Sequence, residues 1–121
     1  GSKDHDILHD YVKIAQRFNN QNLDLIQKRF EAQKANLKDS VALIDKQQTS
    51  LLRRRYLVTV NYALNHKEYH VAPYLALTEL VNANVKLLDT IHNSLSPEVK
   101  NSTYGKKLTK FIADIKKTET K

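Results

Sequence analysis

The 121-residue chain contains no cysteine, no methionine and no tryptophan, and it has only two glycines and two prolines. Without cysteine it can form no disulfide, thiolate zinc site or iron–sulfur cluster, and it has no cysteine nucleophile. The scarcity of glycine and proline favours helices joined by few turns. No apolar run approaches the roughly 18 residues needed to cross a bilayer, so we expect no transmembrane helix.

The apolar pattern predicts an all-α fold, an antiparallel bundle of five or six helices. A first helix should end near Asn19, and Asn22 should cap a long helix or helix pair from about 22 to 65. In this stretch apolar residues recur every seven positions, the spacing of a helix that packs one stripe within its own domain. The row consists of Leu23, Phe30, Leu37, Ile44, Leu51 and Val58. We expect Leu51–Leu64 at the centre of the bundle, packed on both faces.

The second half of the chain contains clear helix starts. Pro73 fits the first turn of a helix, where its missing amide costs little. In "SPEVK", Ser96 should be the N-cap and Pro97 the first helical residue. Ser102 should cap the last helix, which turns one apolar face to the core and its lysines to the other side. The apolar face consists of Tyr104, Leu108, Phe111, Ile112 and Ile115.

Gly1 and Ser2 are typical of the residues left when a protease removes a tag, so 3–121 should be a single helical domain excised from a larger protein. Of the net charge of +7, the segment from Lys100 to Lys121 contributes +5, with seven lysines against two acidic residues. No nucleic-acid-binding motif accompanies these cations, so nucleic acid is not the expected partner. The candidate basic surface consists of Lys106, Lys107, Lys110, Lys116 and Lys117.

The stretch "NHKEYHVAP" places His66 and His70 four residues apart, the spacing of two metal ligands on one helix face. Pro73 and a change of apolar face predict a turn there instead. The sequence has no third ligand at a telling spacing, no nucleophile elbow and no phosphate loop. We therefore predict no catalytic residue, cofactor or metal in this chain, and His66 and His70 are the metal candidates to be checked.

One motif, "LSPEVKNSTYGKKL", together with "NYALNHKEYHVAPYLALTEL" before it, resembles a known family. It is similar to the helical segment just upstream of the thioredoxin-fold domain in TlpA/ResA-like, AhpC/TSA-related envelope thiol–disulfide oxidoreductases of Bacteroides-type bacteria. The resemblance covers the chain from Val60 onward. It implies a parent protein in the bacterial cell envelope, periplasmic or lipid-anchored, whose redox domain with its Cys-x-x-Cys follows Lys121.

On that resemblance, the chain is a non-catalytic spacer that orients the redox domain and offers a docking surface or a homodimer contact. The residues alone leave a second interpretation open. The chain would then be a free-standing interaction module whose basic last helix binds an acidic partner, a membrane surface or nucleic acid.

Overall fold

The computed structural model describes residues 3–119, and in this range it contains six α-helices and no strand. The helices are α1 (Lys3–Lys34), α2 (Lys38–Asn65), α3 (Val71–Glu79), α4 (Val85–Ser94), α5 (Pro97–Lys100) and α6 (Thr103–Glu119). The predicted all-α fold is thereby confirmed. Gly1 and Ser2, the predicted tag remnant, lie outside the described residues, so that prediction stays untested.

The chain divides into two compact units. One, which we call the hairpin, comprises residues 9–55, and the other, the C-terminal unit, comprises 3–8 together with 56–119. Whether the two units fold together, as a single domain would, stays a prediction.

The predicted helix end near Asn19 is wrong, because α1 continues without a break to Lys34. The sequence predicts that "NNQN" caps a new helix through Asn22. Instead, the amide oxygen of Asn19 accepts a hydrogen bond from Arg55 Nη1 at 2.7 Å, and that of Asn22 accepts one from Gln48 at 3.4 Å. Because these side chains bond across to α2, they do not compete for the backbone of α1.

For residues from about 22 to 65, the prediction of one long helix is wrong, since the chain reverses between Ala35 and Leu37. The predicted alternative, a helix pair, agrees with the two helical segments on either side of this turn. Asn36 has a positive φ of 58°, a conformation that Asn tolerates better than most residues. The amide of Leu37 donates to the carbonyl of Ala32 at 2.9 Å, and that of Asn36 donates to Gln33 at 3.1 Å. These two bonds form a Schellman motif, which ends α1 and starts the antiparallel return.

Polar pairs between its two helices show that the hairpin is antiparallel. Asn19 pairs with Arg55 near the open end, and Asn22 pairs with Gln48 further along. Closer to the turn, Arg29 Nε lies 2.6 Å from Asp45 Oδ1. The hydrogen bond and the opposite charge of Asp45 raise the pKa of Arg29 above its ordinary value. Three apolar side chains of the hairpin near these pairs are buried: Ala32, Ile44 and Leu51.

In the C-terminal unit α6 packs against α3, α4 and α5, and α3 also packs against α4. The shared core is fully apolar and draws on every helix from α2 to α6. It consists of Val60, Ala63, Ala72, Ala76, Leu80, Leu88, Ile91, Leu95, Val99, Leu108 and Ile112. The expectation that α2 is buried on both faces is wrong at Leu57, which is 49% exposed.

The starts of α5 and α6 are capped as the sequence predicted. Ser96 Oγ accepts from the amide of Val99, and Pro97 opens α5. Ser102 Oγ accepts from the amide of Gly105 at 3.2 Å, which caps α6. Each cap satisfies an amide that the first helical turn leaves without a partner.

Candidate interaction surfaces

The stretch "NHKEYHVAP" is the turn between α2, which ends at Asn65, and α3, which begins at Val71. Pro73 lies in the first turn of α3 and is buried. The carbonyl of Lys67 accepts a hydrogen bond from the amide of Ser96 at 3.2 Å, which ties this turn to the start of α5. The predicted turn is confirmed, and its backbone serves to join two parts of the C-terminal unit.

The ring of His66, in this turn, contacts Tyr62 near the end of α2. Its Nδ1 lies 2.7 Å from the carbonyl oxygen of Tyr62, and because a carbonyl only accepts, Nδ1 carries the proton. The ring also packs against Tyr62, with centroids 4.4 Å apart. His70 precedes α3, is exposed and gives no side-chain cap to the helix. Among residues 3–119 no three His, Cys, Asp or Glu side chains come together closely enough to hold a metal ion.

A cleft of about 500 Å³ lies beside His70, at the N-terminal end of α3. Asp4 Oδ1 accepts a hydrogen bond from the amide of Val71 at 3.3 Å. Asp4 thereby caps the start of α3, which the side chain of His70, the N-cap residue, does not do. Tyr74 and Tyr104 also line the cleft, and their rings meet edge to face with centroids 5.4 Å apart. The full lining is Asp4, His5, Leu8, His70, Val71, Tyr74 and Tyr104.

The predicted basic surface on α6 is smaller than its five lysines suggest. Lys116 Nζ lies 2.8 Å from a carboxylate oxygen of Asp89 on α4, so this lysine holds two helices together. Lys107 lies over the ring of Tyr104, 5.7 Å from its centroid. Lys117 also takes part in an interaction within the chain. Lys106 and Lys110 are exposed one turn apart on the same side of α6.

The heptad row of α1 and α2 is not buried along its whole length, contrary to the prediction that it packs within the domain. Ile44 and Leu51 are buried, but Leu23 and Phe30 are 63% and 60% exposed. The turn at Asn36 explains the difference, because a seven-residue period does not keep one face through a reversal of direction. With Ile26, 48% exposed, Leu23 and Phe30 form an apolar line on α1 that we call the hairpin stripe.

A small groove lies inside the hairpin next to this stripe. It encloses about 220 Å³ and is lined by Phe18, Asn22, Gln48, Leu51, Leu52 and Arg55. Asn22 is adjacent to Leu23 and one helical turn before Ile26. The groove and the stripe therefore meet along α1.

Comparison with known proteins identifies no relative: no family model matches the chain, and neither a curated protein nor a solved structure matches it significantly. The resemblance to TlpA/ResA-like proteins therefore stays a prediction. Within residues 3–119, none of the helices has a segment long and apolar enough to span a bilayer.

Sequence reasoning missed both the aromatic cleft and the hairpin stripe. The sequence pattern places Tyr104 on the core face of α6, yet Tyr104 is 39% exposed and lines the cleft. For the stripe a signal was present, because Asn36 followed by "LKDS" is typical of a helix end and a new start. Reading a turn there would have separated Leu23 and Phe30, which are exposed on α1, from Ile44 and Leu51, which are buried on α2.

Proposed function

We propose that this chain is a non-catalytic helical spacer and interaction domain of a cell-envelope thiol–disulfide oxidoreductase, and that it orients a thioredoxin-fold domain located after its C-terminus. The observation that carries the proposal is the conformation of "LSPEVKNSTYGKKL", the motif on which the resemblance depends. Its Ser96, Pro97, Ser102 and Gly105 all take part in a single tight corner between α4 and α6.

This corner restricts the direction of α6. A Cβ atom on Gly105 would overlap the carbonyl oxygens of Val99 and Lys100, so the first turn of α6 lies directly on the backbone of α5. Leu108 and Ile112 then bury the same helix against the core. A helix held by backbone contact and apolar packing is suited to orient whatever follows it, because it cannot swivel on its connection.

The first test compares this chain with a longer chain that includes the residues encoded after Lys121. We expect dithiol-dependent reduction of a disulfide by the longer chain, and its loss when the cysteines of the Cys-x-x-Cys are changed to serine. A coding sequence without such cysteines, or a longer chain without reductase activity, would overturn the proposed parent.

The second test addresses the spacer role. In the longer chain, residues 3–119 are replaced by a Gly/Ser linker, which behaves as a flexible coil. If the helical domain orients the redox domain, reduction of a small disulfide reagent should be retained while reduction of a protein disulfide falls. Equal retention of both activities would contradict an orienting role.

The exposed lysines of α6 support a second candidate function, a free-standing module that binds an acidic surface. Lys106 and Lys110 lie on the face of α6 opposite Leu108 and Ile112. Binding to vesicles of anionic lipid or to an acidic polymer should weaken steeply with salt and be lost in Lys106→Glu/Lys110→Glu. Lys86→Glu, an exposed lysine on α4, provides the control for charge alone.

A further inference from the structure

We propose that the hairpin stripe, formed by Leu23, Ile26 and Phe30, binds an acidic amphipathic helix of a partner protein. This inference names a kind of partner for the interaction role in the proposed function, and in that respect it rests on the proposed function. It depends on the hairpin alone, whereas the reductase tests above depend on the residues after Lys121, so the two can fail separately.

The spacing of the stripe indicates a helical occupant. Leu23, Ile26 and Phe30 are separated by three and then four residues, which is the seam along which one helix packs against another. Their large side chains are about half exposed or more. The neighbouring groove, with Leu51 and Leu52 in its lining, gives an apolar side chain of a partner a place to enter.

The charge of the hairpin indicates an acidic occupant. Residues 9–55 contain ten Lys and Arg against five Asp and Glu, a net charge of +5, whereas the rest of the chain has ten against eight, a net charge of +2. Two of the five carboxylates are already paired inside the hairpin, Asp24 with Lys28 at 3.0 Å and Asp45 with Arg29 at 2.6 Å. The remaining cations outnumber the remaining carboxylates.

One cation lies directly on the stripe. Lys34 Nζ is 5.3 Å from the centroid of the Phe30 ring, so its charge lies at one end of the apolar line. In the groove, the only charged side chain of the lining is also a cation, Arg55. A partner helix with carboxylates beside its apolar seam would match this pattern, because opposite charges favour association and fix the register.

The same charge argues against a second copy of this chain as the occupant. Two hairpins packed stripe to stripe would bring two surfaces of net charge +5 together, and like charges repel across an interface. A lipid surface would satisfy the charge, but it does not require a spacing of three and four residues along one helix.

The test uses the whole chain and a synthetic, fluorescein-labelled peptide of about three heptads, with leucine at the a and d positions, glutamate at the flanking positions and alanine elsewhere. Two further peptides serve as controls. One has lysine in place of every glutamate. The other has the composition of the glutamate peptide in an order that spreads the leucines around the helix, so that they form no apolar stripe. Binding is measured by fluorescence anisotropy.

We expect the glutamate peptide to bind, and both control peptides to bind at least about tenfold more weakly. Phe30→Ser and Leu23→Ser should each weaken binding of the glutamate peptide by about tenfold or more, because each removes a large apolar side chain from the centre of the binding surface. Val81→Ser, at a 46% exposed residue of the C-terminal unit, is the matched control and should change it by less than about twofold. Binding should also weaken as salt rises.

Four results would overturn the proposal. Failure of the glutamate peptide to bind, or equal binding of either control peptide, removes the acidic helix as the occupant. A dimer in sedimentation experiments that Phe30→Ser makes monomeric would assign the stripe to a second copy. Phe30-dependent binding to anionic vesicles, without binding of the glutamate peptide, would assign it to a membrane.

Discussion

The hairpin and the C-terminal unit are both built from helices, but the hairpin leaves more of its large apolar side chains exposed. Of the ten large hydrophobic side chains that are strongly exposed in the described residues, seven belong to residues 9–55: Val12, Leu23, Ile26, Phe30, Leu37, Leu43 and Leu52. The C-terminal unit exposes three, Leu57, Val81 and Tyr104. Two helices can cover only one face of each other, whereas α6 is packed by three neighbours.

The two units also differ in what stabilises them. The C-terminal unit is stabilised by a continuous apolar core, by side-chain caps at helix starts and by close packing of Gly105 against the backbone of α5. In the hairpin, exposed polar pairs connect the two helices from Asn19 to Asp45. Exposed ion pairs contribute little to stability, so the hairpin should be the less stable unit when no partner covers it.

The largest effect should come from Leu88→Ala, which removes a side chain with no exposure from the core of α4. Lost burial and the remaining cavity should lower the free energy of unfolding by about 2–5 kcal/mol. Urea denaturation followed by circular dichroism measures the change. If Leu88→Ala costs no more than Leu23→Ala in the hairpin, the contrast between the two units is wrong.

Gly105→Ala should have the next largest effect. The new methyl group meets two backbone carbonyl oxygens, so α6 must shift, at a cost of about 1–3 kcal/mol. Alanine is otherwise the better helix former, and an increase in the free energy of unfolding would therefore show that the close approach does not exist. Ala113→Gly, at an exposed position of the same helix, is the control for helix propensity alone.

A smaller effect is expected at the turn of the hairpin. Asn36→Ala places a side chain that disfavours positive φ at 58°, and it should cost about 1–2 kcal/mol. Asn36→Gly should be neutral or slightly stabilising, because glycine adopts this conformation readily. Hydrogen exchange of residues 9–55 locates the effect. Faster exchange confined to the C-terminal unit would be inconsistent with a Schellman turn at Asn36.

The smallest effect should be that of Phe30→Ser. With 60% of Phe30 exposed, the substitution should change the free energy of unfolding by no more than about 0.5 kcal/mol, although it should weaken peptide binding. Thermal denaturation of the unbound chain provides the check. A large loss of stability would mean that Phe30 supports the hairpin and is unsuitable as a binding residue.

Much of the C-terminal unit was predictable because its signals are local. Ser96 and Pro97 start α5, Ser102 caps α6, and Pro73 lies in the first turn of α3, as their residue types require. The turn holding His66 and His70 was predictable for the same reason. The cleft at Tyr74 and Tyr104 was not, because the first turn of α1 reaches it through Asp4, 67 residues away from its partner Val71.

By itself, the amino-acid sequence determined that the chain is helical, where its later helices begin, and which chemistry its residue types permit. These properties depend on propensity, capping and periodicity within a few residues of one another. Only the tertiary structure decided that "NNQN" stays helical, that Lys116 is occupied by Asp89, and that Phe30 is exposed while Leu51 is buried. An apolar position becomes core or surface according to which helices reach it, and that depends on contacts between distant segments.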